Sequence, residues 1–448
     1  MSGVIRIRDP IHGSIGLTPA ELAIVDHRVF QRLRGIKQLG FTDQAFPGAT
    51  HTRYAHSIGA MYVASQMFDA IFPAESSPLP PVDRARLRQS VRLAVLLHDI
   101  GHAPASHASE SAMPKRSALA LPCYDATSGE EQASHEDYTV KLLLHSSLAA
   151  VLVARFGEMG ITPLDLAHLV TGQFAERAGQ FVLDEVDYFP VLHQLVSGEM
   201  DADRMDYLQR DSFYTGVSYG KFDMSWLLEN LTYHVVDERA VMAIAPRAVF
   251  AFEDFLLSRY HMNVSVYYHH IPVGFDSMLW RFFHEAPDDF RLPVDADAYA
   301  DVDDVTLWSA LRRSDNRWAR CISRREGFKR VLEVGWTPSA SPLEPIEQAL
   351  VAEGIEHFVS RDRGVLSKYY GAGRRGSPLY VVDAALGQAG PIDDYTRIYE
   401  RYAQPTRLER IYVRPDQIRR ARQIITAVTP VQEVLPLQPI RWGKPRVD

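Results

Sequence analysis

The chain has 448 residues, 46% of them hydrophobic, with a formal net charge of −8 and two cysteines. That size and apolar content exclude a disordered or fibrous protein and suit one large domain plus a smaller one. The acid excess argues against a surface that coats nucleic acid, and Cys123 and Cys321 cannot build a disulfide framework or a cysteine zinc site.

No stretch approaches the roughly eighteen apolar residues of a membrane span, and the first residues, MSGVIRIRDP, lack the apolar run of a signal peptide. The expectation is a cytoplasmic protein without membrane partners. Seven of the 48 basic residues are Lys and the rest Arg. Arg is the better bidentate clamp for phosphate, so individual arginines in the right place carry weight, not the overall ratio.

In chain order, residues 4–18 alternate apolar and polar around Pro10, Gly13 and Gly16, which predicts a short hairpin. Pro19 opens a helix through Val29 that continues over Phe30 to Leu39, with Gln38 at its end. Thr50 or Thr52 can cap the next helix, in which Arg53 and His56 share a face.

The stretch Val91 to Glu110, VRLAVLLHDIGHAPASHASE, dominates the chain. Leu93 to Leu97 form a run so apolar that the helix must be buried on nearly all sides, and it delivers His98 and Asp99 into the interior. A buried ionisable pair is costly unless neutralised, either by a divalent metal or by a simple His–Asp bond. Gly101 and Pro104 end the helix just past the pair, so His102 and His107 fall on irregular backbone, with Glu110 close behind.

Residues 111–133 show no sustained period and read as a surface insertion, after which Ser134 and His135 begin an amphipathic helix. Further helices are expected near 145–157, 162–170 and 187–196. In MDADRMDYLQRDS, Asp203, Tyr207 and Asp211 fall on one helical stripe with Arg204 at its margin. That stripe faces either a site or, paired with Arg210, solvent. Ala248 to His270 reads as one long helix whose polar stripe, Arg259, Asn263 and Tyr267, faces a cavity.

An Asp- and Pro-rich loop at 286–304 marks a change of character. Beyond it, a helix at 345–353, strands at 355–360, 379–383 and 408–413, a helix at 395–402 and another from Pro415 to Ala427 describe a small α+β subdomain, followed by an extended tail from 429. The expected division is 1–285 and 286–448, in a mainly α protein.

Collected in order, His56, His98, Asp99 and Asp203 make a His, His-Asp, Asp pattern over three helices. Mixed imidazole and carboxylate ligands suit Mn²⁺, Fe²⁺, Ni²⁺ or Zn²⁺. With DPIHG, FQRLRGIKQLG, FPGATHTRYAHSIG, LLHDIGHAPASH, SHED and DADRMDYLQRDS, the chain resembles the HD-domain phosphohydrolases, and more narrowly the deoxynucleoside triphosphate triphosphohydrolases of the sterile-alpha-motif-and-HD-domain kind. The likeness is close over residues 5–275 and weaker beyond.

The resemblance implies an HD-domain helical core. It implies that His56, His98, Asp99 and Asp203 hold the metal, with Mg²⁺ accompanying the triphosphate. By the same likeness His102 contacts the α-phosphate, and His107, oriented by Glu110 and His135, transfers the proton at the 5′-oxygen. Arg53, Arg204 and Arg259 clamp phosphates. Gln38, Asp211 and Tyr267 hold the 3′-hydroxyl and crowd the 2′-position, with Tyr207 against the sugar. The implied reaction is water attack at the α-phosphorus of a deoxynucleoside triphosphate, in a dimer or tetramer. An HD phosphohydrolase acting on nucleoside monophosphates or single-stranded nucleic acid ends is the alternative. A nucleotide-sensing module would not need the relay.

The chain also departs from the pattern. No sterile-alpha-motif segment is expected before DPIHG. Arg204 stands where animal members carry Lys, and Ala103 and Ala105 replace bulkier residues, which implies a wider pocket floor. Asp26 and Arg34 match positions that bind an activating guanine nucleotide in animal members, without the basic residues that surround that site there.

Overall fold

The computed structural model describes residues 3–123, 128–174, 179–335, 343–364, 378–401 and 406–428. Its first element is the expected hairpin, β1 (Ile5–Asp9) paired antiparallel with β2 (Gly13–Leu17). Asp9 Oδ1 accepts from the backbone N–H of Ile11 and His12, both at 2.9 Å, and so closes the turn.

The continuous helix expected from Pro19 to Leu39 is broken. Helices Pro19–Val25 and Arg28–Gln31 are followed by two 3₁₀ turns, because His27 is extended and caps the second helix through Val29 N–H. The broken path lets Arg32 turn inward, where it donates to the carbonyls of Ile100 (3.1 Å) and His102 (2.7 Å). These carbonyls follow a helix end, where they have no intrahelical partner.

The central helices are α1 (Arg53–Ile71), α2 (Pro81–Leu97), α3 (His135–His145), α4 (Pro163–Thr171), α5 (Phe189–Val196) and α6 (Ala202–Thr215). Helix α2 starts on Pro81, suited to a first-turn position, and buries every residue from Ser90 to Leu97. It is the innermost helix because it has no polar face left to show water over its last two turns. Helix α3 starts on a capping box formed by Ser134 and Asp137.

A sheet flanks this core: β3 (Leu231–Val236) and β4 (Arg239–Ile244) form a hairpin beside two short strands at 182–183 and 186–187. Helix α7 (Val249–Met262) then runs back toward the centre. The single long helix expected to His270 ends earlier, in a π turn over Asn263–Tyr267, and α8 (His270–Glu285) begins after a bend at Tyr268 and His269. The imidazole of His269 accepts from Ile271 N–H and caps the new helix.

The 286–304 loop contains a short helix, Ala296–Tyr299, and leads through a capping box of Asp303 and Thr306 into α9 (Asp304–Arg313) and α10 (Arg317–Ser323). A three-stranded antiparallel sheet follows, with β9 (Thr406–Val413) between β5 (Lys329–Gly335) and β6 (His357–Gly364). Its one face packs on α11 (Leu343–Ala352) and α12 (Ile418–Val428), and its other on α8 and α10.

One segment behaves differently from its place in the sequence. β7 (Tyr380–Asp383), read above with the C-terminal part, pairs parallel with β4 and is continued by β8 (Gln388–Pro391). Leu379, Val381, Ile392 and Ile398 accordingly join the main core. The helix expected at 395–402 is a single turn, Ile398–Arg401, and the tail from 429 lies outside the described residues. Among the described residues no single helix is long and apolar enough to cross a membrane.

Candidate metal centre and active site

Three helices bring the four expected ligands to one place. His56 comes from the first turn of α1, His98 and Asp99 from the end of α2, and Asp203 from the first turn of α6. Asp203 Oδ1 lies 3.0 Å from His56 Nε2 and 3.5 Å from His98 Nε2, and Asp99 lies 3.6 and 3.4 Å from the same two nitrogens. Both nitrogens are buried without a hydrogen-bond partner of sound geometry. Two unpaired imidazole nitrogens facing two carboxylates, one of them also held by Arg53, suit a shared divalent transition metal.

The other nitrogen of each imidazole is committed. His98 Nδ1 donates to Val95 O at 2.6 Å, and His56 Nδ1 donates to Asp206 Oδ2 at 2.8 Å. These bonds fix both tautomers so that Nε2 is the free ligand. Burial alone would depress the imidazoles, but Asp203 and Asp206 raise His56 to about 10, and Asp99 and Asp203 raise His98 to about 9. The site therefore has a negative field that favours a cation. Burial would raise Asp99, but Arg53 above all, with His98 and His102, holds it well below the usual carboxylate range.

Beside the ligands stands a second cluster. Glu110 Oε1 accepts from His135 Nδ1 at 2.6 Å and from His107 Nδ1 at 3.0 Å. Burial works against the Glu110 charge, but these two bonds hold its carboxyl well below the usual range. His102 stacks on His135 with ring centroids 3.9 Å apart, and its Nε2 is 3.2 Å from Asp99 Oδ1. Burial first, then Arg53 and His135, keep His102 neutral. His107 is largely exposed, at the mouth of the cluster. Gly101 makes this juxtaposition possible: a Cβ there would sit 2.1 Å from His135 O and 2.3 Å from Thr139 N.

Each expected phosphate clamp is tied to a carboxylate. Arg53 bonds Asp99 at 2.5 Å and Ser106 Oγ at 2.9 Å, Arg204 bonds Asp201, and Arg259 lies 3.1 Å from Glu199. Arg53 thus stands against a metal ligand, nearer the centre than a clamp read from sequence alone would be. Of the sugar residues, Tyr267 donates to Asp211 Oδ2 at 2.8 Å, and Tyr207 meets Tyr267 edge-on at 6.2 Å. Gln38 is buried with its Oε1 unpaired, a spare acceptor. Asp26 and Arg34 are exposed, and Arg34 covers the ring of Tyr54 at 3.6 Å.

Residues 53–211 match the HD domain family and residues 222–369 match the HD associated region. The chain thus carries an HD domain followed by an HD-associated region. An uncharacterized protein of Methanocaldococcus jannaschii is 31% identical over 342 residues, 76% of this chain and 62% of that one. A deoxynucleoside triphosphate triphosphohydrolase SAMHD1 homolog of Dictyostelium discoideum is 29% identical over 287 residues, 62% of this chain and 49% of its own. The chain spans less than two thirds of the length of these curated relatives. The crystal structure of a hypothetical protein from Aquifex aeolicus superposes with a TM-score of 0.71 at 25% identity, covering 94% of this chain and all of that one.

The HD domain begins at Arg53 and ends at Asp211, yet its most buried charges are completed from outside that span. Arg210, with no exposed surface, bonds Asp206 through Nε at 2.8 Å and Nη2 at 2.9 Å, and reaches Asp9 Oδ2 at 2.9 Å; His12 Nε2 donates to Asp206 Oδ1 at 2.6 Å. The DPIHG hairpin is thus an outer support of His56. Gly59 leaves room for it, since a Cβ there would lie 2.2 Å from both Arg210 Nη2 and Asp206 Oδ1.

Sequence reading singled out neither Asp206, His12 and Asp9 nor His51, whose Nε2 donates to Asp211 Oδ1 at 2.8 Å. Arg210, the partner in the solvent-facing alternative for the stripe of Asp203, Tyr207 and Asp211, is fully buried. The signal available was the density of charge in an otherwise apolar helix: Asp206 and Arg210 sit four apart and can pair only with each other or inward.

Proposed function

We propose that this protein is a metal-dependent phosphohydrolase that cleaves deoxynucleoside triphosphates to deoxynucleoside and tripolyphosphate. The observation that carries the reading is the convergence of His56, His98, Asp99 and Asp203 beside Arg53, Arg204 and Arg259 and the Glu110-centred histidine pair. The named activity of the Dictyostelium relative supports the same substrate class.

A divalent ion held by the four ligands would supply Lewis-acid polarisation of a phosphoryl oxygen and a more acidic water. The chain's own groups account for the rest. Arg204 and Arg259 exchange the carboxylates of Asp201 and Glu199 for the β- and γ-phosphates, and Arg53 with neutral His102 lines the α-phosphate. This orients the α-phosphorus for attack by water opposite the 5′-oxygen. A new phosphorus–oxygen bond forms to water, which gives up one proton to solvent, the bond to the 5′-oxygen breaks, and protonated His107 gives that oxygen its proton. Glu110 keeps His107 and His135 oriented throughout. Tyr267, Asp211, Gln38 and Tyr207 enclose the sugar, and Tyr267 fills the space a 2′-hydroxyl would need. A soluble nucleotide substrate agrees with the cytoplasmic location and the homo-oligomer expected above.

A panel of dNTPs, dNMPs and single-stranded oligonucleotides, each assayed with the metal-loaded protein, tests the reading. The dNTPs should be the fastest substrates, and His98→Ala should lose metal and activity together. Faster turnover of dNMP or of oligonucleotide ends would select the other HD chemistry, and full metal in His98→Ala would remove that ligand.

A further inference from the structure

The bend between α7 and α8 is held by the C-terminal sheet. Arg410 and Tyr412 alternate along β9 and so point to one face, toward the bend. Arg410, 3% exposed, donates through Nη2 to Tyr268 O at 2.6 Å, and the Tyr412 hydroxyl donates to His270 O at 2.8 Å. The two bonds grip the carbonyls on either side of His269. A π turn leads into this bend, and such turns leave carbonyls outside the regular helical ladder, where they must find partners.

The grip itself is rigid. Arg410 Nε donates to Glu333 Oε2 at 2.7 Å and Nη1 to Asp362 Oδ2 at 2.9 Å, so one guanidinium ties β5, β9, β6 and the bend. Tyr412 stacks on Phe358 with centroids 4.9 Å apart and lies against Gly274 of α8, where a Cβ would sit 3.0 Å from its ring. The residue immediately before the gripped Tyr268 is Tyr267, whose hydroxyl reaches Asp211, and Asp211 is bonded in turn to His51.

We infer that Arg410, assisted by Tyr412, is a positioning residue for Tyr267: the C-terminal sheet sets where the sugar wall stands, and with it the discrimination between deoxyribose and ribose. Arg410 touches no reacting group. It acts on the bend, and the bend places the phenol. The inference rests on the proposed function for its substrate, but the mechanical part stands on the structure alone.

Three variants test it in the full chain. Tyr412→Phe removes one grip without leaving a buried charge. Arg410→Met removes the other, leaving Asp362 without its guanidinium and Glu333 with Arg330 alone, so Arg410→Lys, which keeps the charge but not the fork, serves as the milder partner. Hydrogen exchange at the 263–270 amides and the ratio of dNTP to rNTP turnover are read for each. Both variants at Arg410 should speed exchange at 263–270 relative to the rest of α7 and α8, and lower the sugar ratio by roughly tenfold, with Lys between Met and the parent. Tyr412→Phe should move both in the same direction by less. Unchanged exchange at 263–270 in Arg410→Met overturns the grip, and faster exchange with an unchanged sugar ratio overturns the assignment to Tyr267. If the parent protein cleaves no dNTP, the proposed function falls and the exchange data decide the grip by themselves.

Discussion

His56 Nδ1 and Asp206 Oδ2 are joined by a buried 2.8 Å hydrogen bond, and through Asp206 the ligand histidine is tied to Arg210, His12 and Asp9. An ionised carboxylate can only accept, so the proton sits on Nδ1 and Nε2 is free for a metal. Asp206→Asn keeps the shape and removes the charge. It should weaken metal binding by about 10- to 100-fold, read by equilibrium dialysis against the parent protein. Equal affinity would mean that Asp206 serves packing alone.

The histidine pair on Glu110 makes a different prediction. In the proposed mechanism His107 carries a proton and holds no metal, so His107→Ala should retain the metal and bind substrate while kcat falls by about 10²-fold or more. Metal content and single-turnover rates separate the two effects. Loss of metal in this variant would assign the cluster to ion binding instead.

Arg259 gives a third. It is 4% exposed and pairs with Glu199, so it is held at the site before any substrate arrives. Hydrogen bonds to a charged group are worth about 1.5–3 kcal/mol, and Arg259→Met should lower kcat/KM for dNTPs by roughly 10- to 100-fold. An unchanged kcat/KM would place the phosphates elsewhere.

Much of this site was legible because its spacing is local. His98, Asp99, His102, His107 and Glu110 lie within one short stretch around a helix end, and Asp203, Tyr207 and Asp211 lie on one helix, where the 3.6-residue period groups them. The supports were not legible for the opposite reason. Asp9 reaches Arg210 and His12 reaches Asp206 across about two hundred residues, and Arg32 reaches the carbonyls past His98 only because the expected helix over 19–39 is broken. Similarly, the strand 380–383 joins β4, an edge set by tertiary pairing that no local period records. The bend at 268–269 was missed because Val266, Tyr267 and Tyr268 continue a helical pattern while the β9 side chains that hold their carbonyls come far later in the chain.

The C-terminal half supplies a pH-dependent prediction. Burial first, then the nearby Asp362, push the Asp276 carboxyl on α8 up to about 7. Its folded value lies above its unfolded value, so the folded state binds the proton more tightly, and stability is greatest at low pH and falls as pH rises from about 4 toward 7. Asp276→Asn removes this loss. The variant should melt at a higher temperature than the parent at pH 8, and the difference should shrink toward pH 5. A difference that does not vary with pH would show that Asp276 ionises normally.

The central claim is that water attacks the α-phosphorus and the 5′-oxygen leaves. The most direct measurement is the digestion of one dNTP in heavy-oxygen water by the metal-loaded protein, with the products separated by chromatography and weighed by mass spectrometry. Attack at the α-phosphorus gives deoxynucleoside with an unlabelled 5′-hydroxyl and intact tripolyphosphate carrying one heavy oxygen. Deoxynucleoside monophosphate with pyrophosphate, or label in the nucleoside, would contradict it.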